Sequence, residues 1–127
     1  MSENAALPLD QDVSRELPSQ ITIPPIKGEM VHLRPASVDD LIKGMIVVSG
    51  NDACVTLAEA IAGSEEVFAQ MMTAEAKRLG MTGTNFKNSA GMPDPDHYTT
   101  VADLAKLSAA IIHDFPEFYP IYSMKEF

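Results

Sequence analysis

Apolar side chains recur at every third or fourth position in four stretches of the chain, a spacing typical of amphipathic helices. Ser37, Ser64 and Thr100 have hydroxyls that can accept from the amide three residues on, and acidic side chains follow each of them within the first turn. Asn51 is a further residue of the type that caps helices. These signals predict helices over about residues 38–48, 51–63, 64–80 and 100–113.

Each predicted helix has one apolar face that we expect to be buried. We interpret the methionines of the third helix as flexible core filling and not as part of a cofactor site. The expected buried residues are, helix by helix, Leu41, Ile42, Met45, Ile46 and Val48; Ala53, Cys54, Leu57, Ala58 and Ile61; Phe68, Met71, Met72 and Leu79; and Leu104, Leu107, Ser108, Ile111 and Ile112.

The remaining segments carry extended and turn signals. Four prolines interrupt any helix in residues 1–29, where Ile21, Ile23 and Ile26 alternate weakly as in a short edge strand. We interpret residues 1–29 as a Pro-rich arm or linker and residues 30–127 as the folded helical part. Within that part, we expect residues 83–87 to be extended and residues 88–98, rich in glycine and proline, to form a loop.

Composition and charge narrow the function. The 127 residues, 46% of them hydrophobic, suffice for one small domain with a modest core. The net charge of −9 disfavours nucleic acid and anionic membranes as main partners, because like charges repel. No run reaches the roughly 18 apolar residues that span a bilayer, and residues 1–20 show no basic leader followed by an apolar run. We therefore expect neither a transmembrane segment nor a signal peptide in this sequence.

Few side chains are arranged for chemistry by their spacing. Cys54 has apolar neighbours along a helix and no nearby base, so we interpret it as a packed residue and not as a nucleophile. His32, His97 and His113 are scattered, and residues 88–98 lack the ligand register of a calcium loop. We expect no metal and no other cofactor.

The turn Ser49-Gly50-Asn51 joins the first two predicted helices and is the strongest candidate for a functional site. Ser49 and Asn51 are two residues apart across the turn, so both polar side chains can project from one corner. Local pattern alone also allows a plainer interpretation, in which Asn51 caps a helix and Ser49 is a turn residue. The two interpretations stay open at this level.

A family resemblance favours the functional one. Residues 41–54, LIKGMIVVSGNDAC, resemble the second active-site motif, Ser-X-Asn, of the D-alanyl-D-alanine carboxypeptidases, the low-molecular-mass penicillin-binding proteins. Further segments resemble the same family in the same order: Phe68 with Met71-Met72, LGMTGTNF at residues 79–86 and GMPDPDHYTTVADLA at residues 91–105. The resemblance covers about residues 30–127. It implies a mainly α chain, the helical subdomain of the β-lactamase/transpeptidase-like α/β fold with its central sheet largely missing.

The resemblance also implies roles for two residues. In this family the nucleophile is the serine of a Ser-X-X-Lys motif with the lysine as base, and a Lys-Thr-Gly motif holds the substrate carboxylate. Carried over, Ser49 is a supporting hydroxyl in proton relay, and Asn51 binds the backbone of the peptide. Neither is the nucleophile.

The sequence departs from the family at the other two motifs. None of its nine serines has a lysine three residues later, and no lysine opens a Lys-Thr-Gly. Lys43 is the one local candidate for a base near Ser49, and Asp52 is better interpreted as a charge in the first turn of a helix. We therefore expect no nucleophile in this chain and no useful peptidase activity from the chain alone.

A structural hypothesis is that residues 1–29 replace the missing layer by folding Ile21, Ile23 and Ile26 onto the helices. Two hypotheses on function follow. In the first, the chain is a portion of a peptidoglycan D-Ala-D-Ala carboxypeptidase, an acyl-enzyme serine peptidase and β-lactam target whose parent works in the periplasm or at the cell wall. In the second, it is a non-catalytic helical module for binding or assembly, which self-associates through apolar helix faces that a sheet does not cover.

Overall fold

The computed structural model describes residues 20–21, by their backbone, and residues 36–127. The boundary predicted near residue 29, the isoleucines at 23 and 26, and His32 lie outside the described residues. Two short strands are followed by four α-helices and a 3-10 helix. In chain order they are β1 (Gln20–Ile21), β2 (Ala36–Ser37), α1 (Val38–Val47), α2 (Asn51–Ala62), α3 (Glu65–Arg78), α4 (Val101–Asp114) and the 3-10 helix Tyr119–Ser123.

The described part of the chain is mainly α, as predicted. Its only sheet pairs β1 with β2 in antiparallel register, with Gln20 opposite Ser37 and Ile21 opposite Ala36. This pairing agrees with the extended character predicted for Ile21. Helix α1 packs on α2 and α2 packs on α3, and the 3-10 helix returns to pack on α1.

Three predicted helix caps are confirmed. The side chains of Ser37, Ser64 and Thr100 accept hydrogen bonds from backbone amides of the first turn, each three residues on. The donors are Asp40 at 3.1 Å, Val67 at 3.2 Å and Asp103 at 3.1 Å. Gly63 ends α2 in the left-handed region at φ 82°, and its amide donates to Glu59 O at 2.8 Å.

The prediction that Asn51 caps α2 is wrong. The helix begins at Asn51, and Gly50 occupies the cap position without a side-chain hydrogen bond. Asp52 provides the first-turn acceptor, because its Oδ1 accepts from the amide of Ala53 at 3.0 Å. The side chain of Asn51 is thereby left available for contacts outside the helix.

The core lies at the packing of α1 on α2. Leu41, Ala53 and Leu57 form a buried cluster, against which Ala36, Val38, Ile42 and Met45 pack. Ala58, Ala69 and Ala76 are also buried. The buried positions of α2 and α3 are thus mostly alanines, whose small side chains let the helices approach closely.

Several predicted core positions are exposed instead. Val48 and Ile61 lie at helix ends, where the neighbouring helix no longer covers them, and are 58% and 39% exposed. The exposed residues of the later helices are Met71, Leu104, Ser108 and Ile112, while Cys54, Phe68, Met72, Leu79, Leu107 and Ile111 are half-buried. The periodicity identified the apolar faces, but within residues 36–127 no element fully covers the side of α4 that carries Leu104 and Ile112.

The connection between α3 and α4 combines the predicted extended and loop segments. Asn85 and Tyr98 form an isolated antiparallel bridge, with N–H to O distances of 2.9 and 3.0 Å. Thr73 of α3 attaches the extended segment 83–87 to the helix, since its hydroxyl accepts from Phe86 N at 2.9 Å. The loop between the bridging residues is therefore pinned at its base and projects from the helices.

Candidate functional site

The turn between α1 and α2 has an unusual backbone at Ser49. Its φ is 55°, and it is the only residue other than glycine with positive φ in the described part of the chain. The left-handed region disfavours a residue that carries a Cβ. Gly50 then closes the turn, because its amide donates to Gly44 O at 3.0 Å. A Cβ on Gly50 would lie 3.2 Å from that same oxygen, so the close approach favours glycine.

Both polar side chains of the turn are exposed at the corner where α1 ends and α2 begins. The Asn51 carboxamide reaches across to the loop of residues 88–98, where its Nδ2 donates to the sulfur of Met92 at 3.8 Å. No side chain within residues 36–127 hydrogen-bonds the Ser49 hydroxyl. The corner thus presents a hydroxyl and a carboxamide, groups that can donate to and accept from a peptide backbone.

The loop beside Asn51 is held by its own polar side chains. Asn88 binds the backbone of Met92 twice, with Oδ1 accepting from Met92 N and Nδ2 donating to Met92 O, both at 2.9 Å. Farther along, Asp94 Oδ1 accepts from Asp96 N at 2.8 Å. These contacts agree with the interpretation of residues 88–98 as a loop built from turn chemistry.

A carboxylate on α3 ties the same loop to the helices. Glu65 Oε1 accepts from Ser89 N at 3.0 Å and from the Ser89 hydroxyl at 2.7 Å. The backbone hydrogen bond and then the hydroxyl hydrogen bond lower the pKa of Glu65. Glu65 is thus an ionised tether for the loop, in addition to its place in the first turn of α3.

The side chains considered as bases for Ser49 are engaged elsewhere. Lys43 pairs with Asp39 on its own helix at 2.5 Å. Asp52 accepts from the amide of Ala53, as expected for a carboxylate in the first turn of a helix. Burial is the first cause that raises the pKa of the Cys54 thiol, which favours the thiol over the nucleophilic thiolate. Within the described residues, Lys43 and Asp52 are thus bound to groups other than Ser49.

A second polar cluster, around Asp103, was not recognised from the sequence. Asp103 is buried and accepts from the Thr84 hydroxyl at 2.7 Å and from Gly83 N at 2.8 Å, while Lys106 lies 3.4 Å away. The Thr84 hydrogen bond is the largest cause that lowers the pKa of Asp103. Its carboxylate joins the extended segment to α4, and with its acceptors occupied it is a structural anchor and not a general base.

Residues 36–127 hold no group of three His, Cys, Asp or Glu side chains placed for a metal ion. His97 belongs to the loop, where its Nδ1 accepts from Lys87 N at 3.0 Å. None of the helices that the structure describes has the length and apolar character needed to cross a bilayer.

Sequence reasoning found the turn but missed the residues that support it. The helix pattern located Ser49 and Asn51, whose proposed roles stay predictions. The contacts of Asn51 with Met92 and of Glu65 with Ser89 join residues far apart in the chain, so no local spacing in the sequence marks them. A faint signal existed in the sequence run Asn88-Ser89, two side chains that bind backbone in turns.

Comparison with known proteins places this geometry in a family. Residues 27–127 match the family model described as D-alanyl-D-alanine carboxypeptidase. The D-alanyl-D-alanine carboxypeptidase DacC of Escherichia coli is 46% identical over 108 residues, which are 82% of this chain and 27% of that relative. The chain therefore spans well under half the length of this curated relative.

Solved structures agree with the sequence matches. Penicillin binding protein 5 from Haemophilus influenzae has a TM-score of 0.72 and 46% identity, over 74% of this chain and 27% of that one. Penicillin-Binding Protein D2 from Listeria monocytogenes, in its ampicillin-bound form, has a TM-score of 0.60 and 35% identity, over 67% of this chain and 35% of that one. The resemblance read from the motifs is thus confirmed over most of the chain, which belongs to the D-alanyl-D-alanine carboxypeptidase family.

Proposed function

We propose that this chain is a portion of a serine-type D-Ala-D-Ala carboxypeptidase, an enzyme that removes the terminal D-alanine of peptidoglycan stem peptides through an acyl-enzyme. Family membership supports the reaction class, and the Ser49-Gly50-Asn51 turn is the observation that carries the proposal. The full enzyme of which this chain is a portion works in the periplasm or at the cell wall, where peptidoglycan is found. It is inhibited by β-lactams, which acylate it.

Within this site, Ser49 is the supporting hydroxyl for proton relay and Asn51 is the substrate-binding carboxamide. The exposure of both side chains supports these roles, because a group that binds peptide must be reachable from solvent. The left-handed backbone at Ser49 supports them as well, since strained conformations are concentrated at functional sites.

The chain alone does not hydrolyse peptides in this proposal. A serine hydroxyl needs a base to become a nucleophile at neutral pH, and the one local candidate, Lys43, is paired with Asp39. The printed sequence also lacks a Ser-X-X-Lys and a Lys-Thr-Gly. The nucleophile, its base and the carboxylate-binding motif must then come from another segment or another chain.

Labelling with a fluorescent penicillin tests this proposal. The purified chain should show no covalent label in a denaturing gel, while a penicillin-binding protein with all three motifs is labelled in the same experiment. A chain heated before labelling serves as the background control. Specific labelling of this chain alone would show that a nucleophile is present and would sink the claim that it is inactive.

A second candidate function is a non-catalytic assembly module. An apolar groove between α1, α4 and the 3-10 helix favours it, because an exposed groove of this kind promotes association. The groove is lined by Ile42, Met45, Ile46, Ile111, Phe115, Phe118 and Tyr122. Phe115→Ser removes an exposed side chain of the groove, and Phe127→Ser removes a similarly exposed phenylalanine outside it.

The solution mass decides this candidate. Self-association through the groove predicts a mass above 13.7 kDa that falls in Phe115→Ser and persists in Phe127→Ser, measured by light scattering. A monomeric wild-type chain with a well-dispersed NMR spectrum would reject it.

The N-terminal arm offers a third test. We propose that residues 1–29 form an N-terminal arm to the helical part 30–127, and that this arm covers apolar helix surface through Ile21, Ile23 and Ile26. The pairing of β1 with β2 places Gln20 and Ile21 of the arm next to the start of α1, which supports this proposal. Deletion of residues 1–29 should lower the unfolding temperature, and an unchanged temperature would exclude the arm as a cover.

A further inference from the structure

The loop between α3 and α4 is closed at its neck by a short ladder that side chains extend. Asn85 and Tyr98 exchange both of their backbone hydrogen bonds. In a regular antiparallel ladder the next exchanging pair lies two residues further, so Lys87 N would donate to Asp96 O. Instead, Asp96 O accepts from the Asn85 side chain. The Lys87 amide donates to His97 Nδ1 at 3.0 Å, so an imidazole takes the place of a backbone carbonyl.

The imidazole of His97 is held on two sides for this role. Its ring meets the ring of Phe86 edge-on, with the centroids 5.6 Å apart. The backbone of His97 is fixed as well, because its amide donates to Asp94 O at 3.0 Å. The residue is half-buried. With backbone and ring both in contact, Nδ1 is kept facing the Lys87 amide.

Only a neutral imidazole can accept this hydrogen bond. The Lys87 amide is a donor, so Nδ1 must present its lone pair, and the ring proton of His97 lies on Nε2. A protonated imidazole carries a hydrogen on both nitrogens and has no acceptor. Histidine is the side chain that ordinarily changes charge between about pH 5 and 8. The bond is therefore present above the pH at which the ring takes up a proton and is lost below it.

The surroundings of the ring offer little to a protonated His97. The titratable groups next to it are Lys87 on the opposite segment and Asp94, Asp96 and Tyr98 along the loop. Among the described residues, no carboxylate forms an ion pair with His97, and its one side-chain hydrogen bond is the bond to the Lys87 amide. An imidazolium at this position thus gains no ionic partner in exchange for the bond that it loses.

We propose that His97 is a pH-sensitive latch, which closes the neck of the loop while its imidazole is neutral and releases the Lys87 amide when the ring takes up a proton. The release is local. Two residues on, Ser89 stays bound to Glu65, because the hydrogen bonds from Ser89 lower the pKa of Glu65 and keep its carboxylate ionised in this range. The latch makes the loop respond to pH whether or not the proposed function holds.

Hydrogen exchange of the Lys87 amide, followed by NMR, measures the latch in the intact 127-residue chain. Its protection factor, which corrects for the intrinsic effect of pH on exchange, should fall by about 2- to 10-fold between about pH 7.5 and about pH 5.5. That is the range expected for the loss of one hydrogen bond. The Ser89 amide, which donates to Glu65, should keep its protection.

Three variants separate the latch from other effects of acid. His97→Asn places an amide oxygen near the position of Nδ1, and this oxygen accepts at every pH, so the Lys87 amide should stay protected at both pH values. His97→Phe keeps an aromatic ring against Phe86 and removes the acceptor, so protection should be low at both. His113→Asn is the matched control, because the His113 side chain is 89% exposed and bonds Asp114, so the fall in acid should persist.

The proposal is overturned by equal protection of the Lys87 amide at the two pH values in the wild-type chain. It is also overturned by a fall that persists in His97→Asn or disappears in His113→Asn. An equal loss of protection at Ser89 would show that the whole loop opens, and would reject a local latch. If His97→Phe does not fold, the wild-type chain and His97→Asn decide.

Discussion

Replacing Ser49 by glycine tests whether the corner stores backbone strain. Ser49 has φ 55°, a conformation that costs an L-residue with a Cβ about 1–2 kcal/mol relative to the right-handed region. Glycine adopts it without that cost. The replacement also frees the unfolded chain, which offsets about 0.5–1 kcal/mol of the gain. We expect Ser49→Gly to raise the free energy of unfolding by about 0.5–1 kcal/mol.

The gain is measurable by thermal or urea unfolding followed by circular dichroism. For a domain of this size, 1 kcal/mol corresponds to about 4–8 °C, so the unfolding temperature should rise by about 2–8 °C. Ser49→Ala is the control, because it keeps the Cβ and removes only the exposed hydroxyl. We expect it to lie within about 0.5 kcal/mol of the wild type.

The comparison of the two variants refutes or supports the reasoning. If Ser49→Gly is no more stable than Ser49→Ala, then the left-handed backbone carries no strain and cannot be cited in favour of function. If it is more stable, the serine is present despite its cost. Together with family membership, that result would argue that the hydroxyl of Ser49 is retained for its chemistry.

Three other predictions concern the supports of the corner. Gly44→Ala should stabilise the chain by about 0.5–1 kcal/mol in urea unfolding, because the new Cβ lies an ordinary 3.9 Å from the Cβ of Ala53; a loss of stability would contradict this. Gly50→Ala should destabilise it by about 1 kcal/mol or more, since its Cβ meets the Gly44 oxygen at 3.2 Å, and a neutral result would show that the turn relaxes. Glu65 has a lowered pKa in the folded state, so the stability it contributes is present above the unfolded pKa, about 4.3, and is lost as pH falls through the folded pKa. The urea midpoint of Glu65→Gln should therefore fall less steeply in acid than that of the wild type. Parallel curves for the two proteins would count against the Ser89 tether.

The local features of the fold were predictable, because their causes lie within one helical turn. Ser37, Ser64 and Thr100 cap their helices because each hydroxyl meets an amide three residues away. Asn51 broke this rule although it is a good cap by type. Asn51 is already helical, so the cap position falls on the extended Gly50. Ser49 before it is left-handed, a conformation that no propensity of the sequence predicts for a serine.

Burial and the site's supports were less predictable, because both depend on what packs against a face. The apolar spacing of α4 is real, yet Leu104 and Ile112 are each 46% exposed, since the sequence shows which side is apolar and not whether another element covers it. The same limit hid Asp103. Asp103, the acidic side chain that the sequence places in the first turn of α4, binds Gly83 and Thr84, about 20 positions earlier in the chain, and is buried there.

The corner is built from contacts that the described residues make among themselves. The Gly50 amide donates to the Gly44 oxygen across the α1–α2 turn, and Asn51 contacts Met92 of the adjoining loop. Glu65 holds that loop through Ser89. None of these contacts requires the segments that carry the other two motifs. The Ser49–Asn51 corner can therefore keep its shape on these contacts alone. Under the proposed function, a failure of the chain to be acylated would then reflect missing chemistry and not a collapsed corner.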